Sequence, residues 1–158
     1  MDADACPREA RHILRRASRR LQIPLVFVSN HDLGEPRTEL VSTRIVPPRA
    51  DEADQTIARE VEPGDLVITA DVPLAAEVVG RGADAMDTRG EQFDEDDVHV
   101  RLSQRNLMEE LRGAGLVQGG PSEYGDVDKQ RFAAALDRWL TRQMRERKRR
   151  ESGPGSSD

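Results

Sequence analysis

The spacing of apolar residues along the chain predicts five helices. In the first of them, apolar side chains return every three or four residues from Ala10 to Leu21, and the arginines between them face water. Pro7 suits the first turn of this helix, Asp4 is a candidate N-cap, and Pro24 ends it. The other helices are predicted over residues 51–61, 73–79, 96–111 and 128–144.

Short continuous apolar runs predict four strands. The clearest covers residues 66–69, and the others cover residues 25–28, 44–46 and 84–86. Strands that alternate with helices are typical of a mostly parallel central sheet with helices on both faces. We therefore expect a single α/β domain over residues 1–144, followed by a basic and then disordered tail over residues 145–158.

Composition narrows the class of protein. A chain of 158 residues is long enough for one domain with its own core. No apolar run approaches the roughly 20 residues of a membrane span, so we expect a cytoplasmic protein without a membrane partner. Only 3% of the residues are aromatic, which disfavours binding of single strands by base stacking. The single cysteine, Cys6, excludes a disulfide framework and is expected to be a small buried hydrophobe.

The charge is unevenly distributed. The formal net charge is -6, yet residues 142–150 contain six cations and one acid, Glu146. A basic segment attracts phosphate backbones, so RNA is a possible partner. The alternative is a solvated helix end whose positive charge suits the C-terminal helix dipole.

Four aspartates stand where helices begin or strands end. Asp2 and Asp4 precede the first helix, Asp54 lies at the start of the second, and Asp71 follows the strand over residues 66–69. We expect these carboxylates to share one rim of the sheet, where hard oxygen ligands favour Mg²⁺ or Mn²⁺. Such an ion would activate water for attack on a phosphodiester. The alternative makes Asp4 and Asp54 helix N-caps and Asp71 a turn former.

Two further side chains are candidates for contact with a substrate. Asn30 follows the strand over residues 25–28 and is expected to line the same rim. Arg89 is suited to clamp a phosphate through two hydrogen bonds. An ion pair with Asp87 or with the acidic run at residues 91–97 is an equally good expectation for Arg89.

Four motifs resemble the YaiI/YqxD family of uncharacterised bacterial proteins: Met1-Asp-Ala-Asp-Ala-Cys-Pro7, Ile68-Thr-Ala-Asp-Val-Pro-Leu-Ala75, Thr88-Arg-Gly90 and Gly119-Gly-Pro121. The resemblance implies a PIN-like fold, related to metal-dependent ribonucleases. It implies that Asp2, Asp54 and Asp71 are the first, middle and late acids of the site, and that Thr69 helps to orient it.

The chain departs from the family pattern in three places. Thr88 stands where Pro is usual, and Gln55 where Asn is usual. The apolar residues that usually precede the first Asp and form a central strand are missing, so we expect the natural protein to start upstream of Met1.

Two other functions fit parts of the pattern. Asp2-Ala-Asp4 followed by an apolar strand ending at Ser29 is similar to the haloacid dehalogenase superfamily, with Asp2 as nucleophile and Asp4 as general acid/base. This interpretation gives Asp54 no role. Both lysines follow Asp71, whereas the superfamily places a cation before its last acid. The other alternative is a PIN-like module that binds RNA or a protein without cleaving it.

Overall fold

Helices and strands alternate through most of the chain. The computed structural model describes Ala3, residues 6–116 and residues 123–153. The helices in these residues are α1 (Arg8–Leu21), α2 (Glu52–Glu60), α3 (Val72–Gly80), α4 (Glu95–Gly113) and α5 (Asp126–Glu151). The strands are β1 (Leu25–Ser29), β2 (Val41–Ile45), β3 (Leu66–Ile68), β4 (Asp84–Met86) and β5 (Gln92–Phe93). The α/β class predicted from the sequence is confirmed.

The strands form two small sheets. Strand β1 pairs in parallel with β2, while β3 pairs in parallel with β4 and β4 pairs antiparallel with β5. The expected single sheet is therefore divided in the described residues, because β1 and β3 do not pair with each other. An apolar cleft of about 380 Å³ is lined by residues of both β1 and β3, including Val26 and Val67.

The core lies on both faces of the strands. Neighbouring residues of a strand point to opposite faces. Val67 and Ala85 pack in a cluster with residues of α2 and α3. Ile68 and Met86 pack in a second cluster, with residues of α1 and α5. Helices therefore pack on both faces of the β3–β4 pair.

Some predicted element boundaries are wrong. Pro7, not Asp4, is the N-cap of α1, because the helix starts only at Arg8. Strand β5 was not predicted, since its two residues lie at the edge of an acidic run. Helix α5 continues to Glu151, beyond its predicted end at residue 144, so the basic segment up to Glu151 is helical. Residues 154–158, predicted to be disordered, lie outside the described residues, as does the predicted loop at residues 119–121.

Within the part of the chain that the structure describes, no helix is long and apolar enough to cross a membrane.

Candidate functional site

The carboxyl ends of β3 and β4 form one edge, which we call the rim. The two strands run in register, with Ile68 opposite Met86, and the backbone N–H of Thr69 donates to the Met86 carbonyl at 3.0 Å. The segments that follow the two strands, from Thr69 to Asp71 and from Asp87 to Gly90, therefore leave the sheet side by side. The rim is where sequence reasoning expected a site.

Asp71 is fixed at the rim by both its backbone and its side chain. Its backbone N–H donates to the Thr69 hydroxyl at 3.0 Å, and its Oδ1 accepts from the Leu74 N–H at 2.8 Å. Asp71 is thereby the N-cap of α3, a role that the sequence analysis did not assign to it. Its Oδ2 has no hydrogen bond to a described residue, which leaves one carboxylate oxygen for a ligand.

Asp54 lies in the first turn of α2 and is half-buried. It is not the N-cap, because Asp51 holds that position with a left-handed φ of 61° and no side-chain capping bond. The N-cap alternative for Asp54 is therefore wrong. Both Asp54 and Asp71 stand at the positive end of a helix dipole, where a carboxylate is stabilised.

Asp2 and Asp4 lie outside the described residues, but Ala3 between them is well fixed. The Ala3 N–H donates to the Val28 carbonyl at 3.0 Å, at the carboxyl end of β1. Its side chain is fully buried against Phe27 and Val41. Among the residues that the structure describes, no group of three or more His, Cys, Asp or Glu side chains could hold a metal ion.

The predicted substrate-contacting residues occupy different settings. Thr69 is only 2% exposed, and its hydroxyl accepts the Asp71 N–H, so it holds Asp71 in place. Asn30 is exposed just beyond β1, and its Oδ1 lies 2.8 Å from Nδ1 of His31. Thr69 is therefore suited to positioning, and Asn30 to contact with a ligand from solvent.

Arg89 pairs with a residue that sequence reasoning did not consider. Its guanidinium lies 3.2 Å from the Asp128 carboxylate in the first turn of α5. The expected ion pair with Asp87 is wrong, because Oδ1 of Asp87 accepts the backbone N–H groups of Arg89 and Glu91, each at 2.9 Å. The Asp128 pair holds the Arg89 side chain against α5, next to the rim.

Two titratable groups at the rim were missed by sequence reasoning. Burial raises the pKa of the Asp87 carboxyl above its usual value, although the backbone N–H groups of Glu91 and Arg89 oppose this shift. Burial also raises the pKa of Tyr124 to about 12, and its hydroxyl donates to the Thr88 carbonyl at 2.8 Å. The only signal in the sequence was the Thr88-Arg-Gly90 motif, which lies between these groups.

The backbone conformation and close packing of Gly90 explain why this motif ends in glycine. Its φ is 87°, and a Cβ at this position would lie 2.6 Å from the Arg131 carbonyl oxygen and 2.9 Å from its carbon. Only glycine allows the turn between β4 and β5 to pack this closely on α5. The turn therefore joins the rim to α5.

The fold and the rim define an α/β protein with acidic side chains at the ends of its strands. A profile described as "Uncharacterized BCR, YaiI/YqxD family" matches residues 1–142. The chain belongs to this family, as its motifs predicted.

Relatives carrying the name UPF0178 protein are similar over nearly the whole chain. The one from Trichlorobacter lovleyi is 52% identical over 149 residues, which cover 94% of this chain and 97% of the relative. The one from Geobacter metallireducens is 53% identical over 146 residues, covering 92% and 94%. The one from Myxococcus xanthus is 50% identical over 142 residues, covering 90% and 93%. No solved structure matches the chain.

Proposed function

We propose that this protein is a PIN-like, divalent-metal-dependent nuclease that hydrolyses RNA phosphodiester bonds. The observation that carries the proposal is the placement of Asp71. It lies shortly after the end of β3, it is held by Thr69 and by the first turn of α3, and it keeps one carboxylate oxygen for a ligand. Asp54 adds a second carboxylate at a helix N-terminus.

The donor set fits Mg²⁺ or Mn²⁺ better than zinc. Mg²⁺ is usually bound through one or two carboxylates, with water and substrate phosphate completing its octahedron. Asp54 and Asp71 are the ligands that we propose among the described residues, and Asp2 and Asp4 flank Ala3, which is anchored at the end of β1. When bound, the ion would lower the pKa of a water molecule and stabilise the leaving oxygen of the phosphodiester.

The remaining residues have roles in holding the ligand and the substrate. Thr69 is proposed as a positioning residue, because its hydroxyl holds the backbone N–H of Asp71. Asn30 and Arg89 would contact the substrate backbone. Its ion pair with Asp128 holds Arg89 beside the rim, where an arginine is suited to contact a phosphate.

A second candidate function is an RNA-binding module that does not cleave. The observation in its favour is that the described residues contain no group of three or more His, Cys, Asp or Glu side chains able to hold a metal ion. In that case RNA would be bound through Arg89 at the rim and Asn30 beyond β1, without a metal ion.

Cleavage of a fluorescent RNA separates these functions. The parent protein is incubated with the RNA in EDTA, in Mg²⁺ and in Mn²⁺, beside Asp54→Asn and Asp71→Asn. Asp137→Asn is the matched control, since Asp137 is an exposed carboxylate of α5 paired only with Arg20. We expect metal-dependent cleavage that falls by orders of magnitude in the first two variants and persists in the control.

RNA binding without cleavage in any metal would establish the binding module instead. Release of phosphate from a small phosphomonoester, with intact RNA, would instead support the haloacid dehalogenase alternative.

A further inference from the structure

One face of α5 carries a row of arginines. Five exposed arginines follow one another at intervals of seven, four, three and four residues: Arg131, Arg138, Arg142, Arg145 and Arg149. At 3.6 residues per turn, these intervals keep all five within a sector of about 60°, and the row extends about 27 Å along the helix. No Asp or Glu of α5 falls within this sector. We call this row the arginine stripe.

The stripe is largely without opposing charge. Among the residues that the structure describes, Arg131, Arg138, Arg145 and Arg149 have no salt bridge, and Arg142 donates to the neutral Gln92 side chain at 3.1 Å. In contrast, Arg147, on another face of the same helix end, pairs with Glu151. In a chain of net charge -6, five unopposed cations on one face are a strong local concentration of positive charge.

The helix dipole does not explain the stripe. Cations suit the last turn of a helix, and the effect fades beyond that turn. Arg131 and Arg138 lie in the first half of a helix of 26 residues. A solvated helix end therefore accounts for Arg149 but not for the start of the row.

The stripe begins beside the rim. The carbonyl of Arg131 touches Gly90, and Arg89 of the same turn pairs with Asp128 in the first turn of α5. Further along the helix, Arg142 reaches Gln92, which directly precedes Phe93 in β5. A chain of phosphates that contacts Arg89 could therefore continue along the arginine stripe.

We propose that the arginine stripe binds the phosphate backbone of RNA and guides it to the rim. The proposal rests on the proposed function, since it assigns the path of that substrate. A membrane surface is a poorer partner, because a membrane-binding helix needs large apolar side chains beside its cations. On α5 the only exposed large hydrophobic residue is Val127.

Paired variants with equal loss of charge test the stripe. Arg145→Gln/Arg149→Gln removes two cations from it, and Arg147→Gln/Arg150→Gln removes two from other faces of the same helix end. Binding of a fluorescein-labelled single-stranded RNA is measured by anisotropy in EDTA, across a range of salt concentrations. The stripe variant should bind about 25-fold more weakly at 0.1 M salt, since each contact with a single strand contributes about 0.7 to the salt exponent. The control should change little.

Equal losses of RNA affinity in both variants would refute the proposal, because they would mean that the basic helix end attracts RNA diffusely. The proposal would also be refuted if the parent bound no RNA but bound tightly to vesicles of phosphatidylglycerol, and if the stripe variant lost that binding. That result would mean a lipid partner. Asp71→Asn separates the two proposals: it should keep RNA affinity while abolishing cleavage. Stripe-dependent binding by a parent that never cleaves RNA would refute the nuclease and leave the stripe in place.

Discussion

Asp71 has two roles that substitution can separate, because it caps α3 and is also a proposed metal ligand. Asn is as good an N-cap as Asp, so Asp71→Asn should keep the bond from the Leu74 N–H. It loses only the attraction of a charge to the helix dipole, about 0.3–1 kcal/mol. Asp71→Ala loses the cap as well, which should cost about 1 kcal/mol more.

The two Asp71 variants should differ in their stability without metal but not in their response to metal. A metal ion that binds only the folded protein stabilises it by about 2.7 kcal/mol at 100 times its dissociation constant. For a chain of this size, that corresponds to a rise in Tm of about 5–10 °C. Asn and Ala lack the second carboxylate oxygen, so both variants should lose most of this rise, although only Ala loses the cap.

The assay is thermal unfolding in EDTA, Mg²⁺ and Mn²⁺, followed by circular dichroism. Calorimetric titration with each metal gives the dissociation constants independently. Asp137→Asn should respond to metal like the parent. A parent protein stabilised by metal, with an Asp71→Asn variant stabilised equally, would refute the assignment of Asp71 as a ligand. It would leave Asp71 as a helix cap alone.

Two other substitutions and one N-terminal extension test the turn and the cleft. Because burial raises the pKa of Asp87, the folded state holds the proton of this carboxyl more tightly than the unfolded state does. Stability should therefore fall as pH rises from the usual pKa of 3.8 through the raised pKa. Urea unfolding from about pH 3.5 to 7 should show that Asp87→Asn removes this fall, and an unchanged profile would contradict the assignment. Gly90→Ala should lower the free energy of unfolding, measured in urea, by at least about 2 kcal/mol. Gly34→Ala, also at positive φ but with open space around it, should lower it by only about 1 kcal/mol. Equal losses would contradict the close approach of Gly90 to Arg131. Five apolar residues added ahead of Met1 should raise stability by about 2 kcal/mol or more if they enter the cleft between β1 and β3, because each buried aliphatic side chain contributes about 1.5–3 kcal/mol. An equally long Gly/Ser extension is the control. Equal stabilisation by that extension would exclude burial in the cleft as the cause.

Local signals predicted most helices and strands, because each is encoded by a few neighbouring residues. The apolar run before Asp71 predicted β3, and the periodicity after Pro7 predicted α1. The end of α5 was predicted wrongly, because the basic segment was expected to form a tail after the helix. Helix α5 reaches Glu151 because nothing in its basic segment breaks a helix, and charge alone is not a stop signal.

Pairing between strands was less predictable than the strands themselves. Alternation of strands and helices indicated a mostly parallel sheet, but β5 has only two residues and turns back against β4. The positive φ of Gly90 permits this turn, and its packing on Arg131 stabilises it. Such a contact joins residues 41 positions apart, so no window of sequence contains it.

The partner of Arg89 was unpredictable for the same reason. Asp87 was the natural choice by distance along the chain, but its carboxylate is already bonded to the backbone of the turn. That leaves the guanidinium to reach Asp128, 39 residues away. Asp54 and Asp71 were easier to select as candidates, because a helix start or a strand end is a local feature of the sequence.

Net charge alone would argue against RNA as a partner, since a chain at -6 repels a polyanion on average. The average is not what a phosphate backbone meets on α5, where no acid lies within the 60° sector of the arginine stripe. Segregated charge of this kind gives an attraction that salt screens, whereas a metal ion held by Asp71 and Asp54 would be bound at close range and screened much less. High salt should therefore weaken RNA binding while leaving the metal-induced rise in Tm largely intact. A metal-induced rise in Tm that high salt abolishes as it abolishes RNA binding would place the metal on a diffuse acidic surface, and not at the rim.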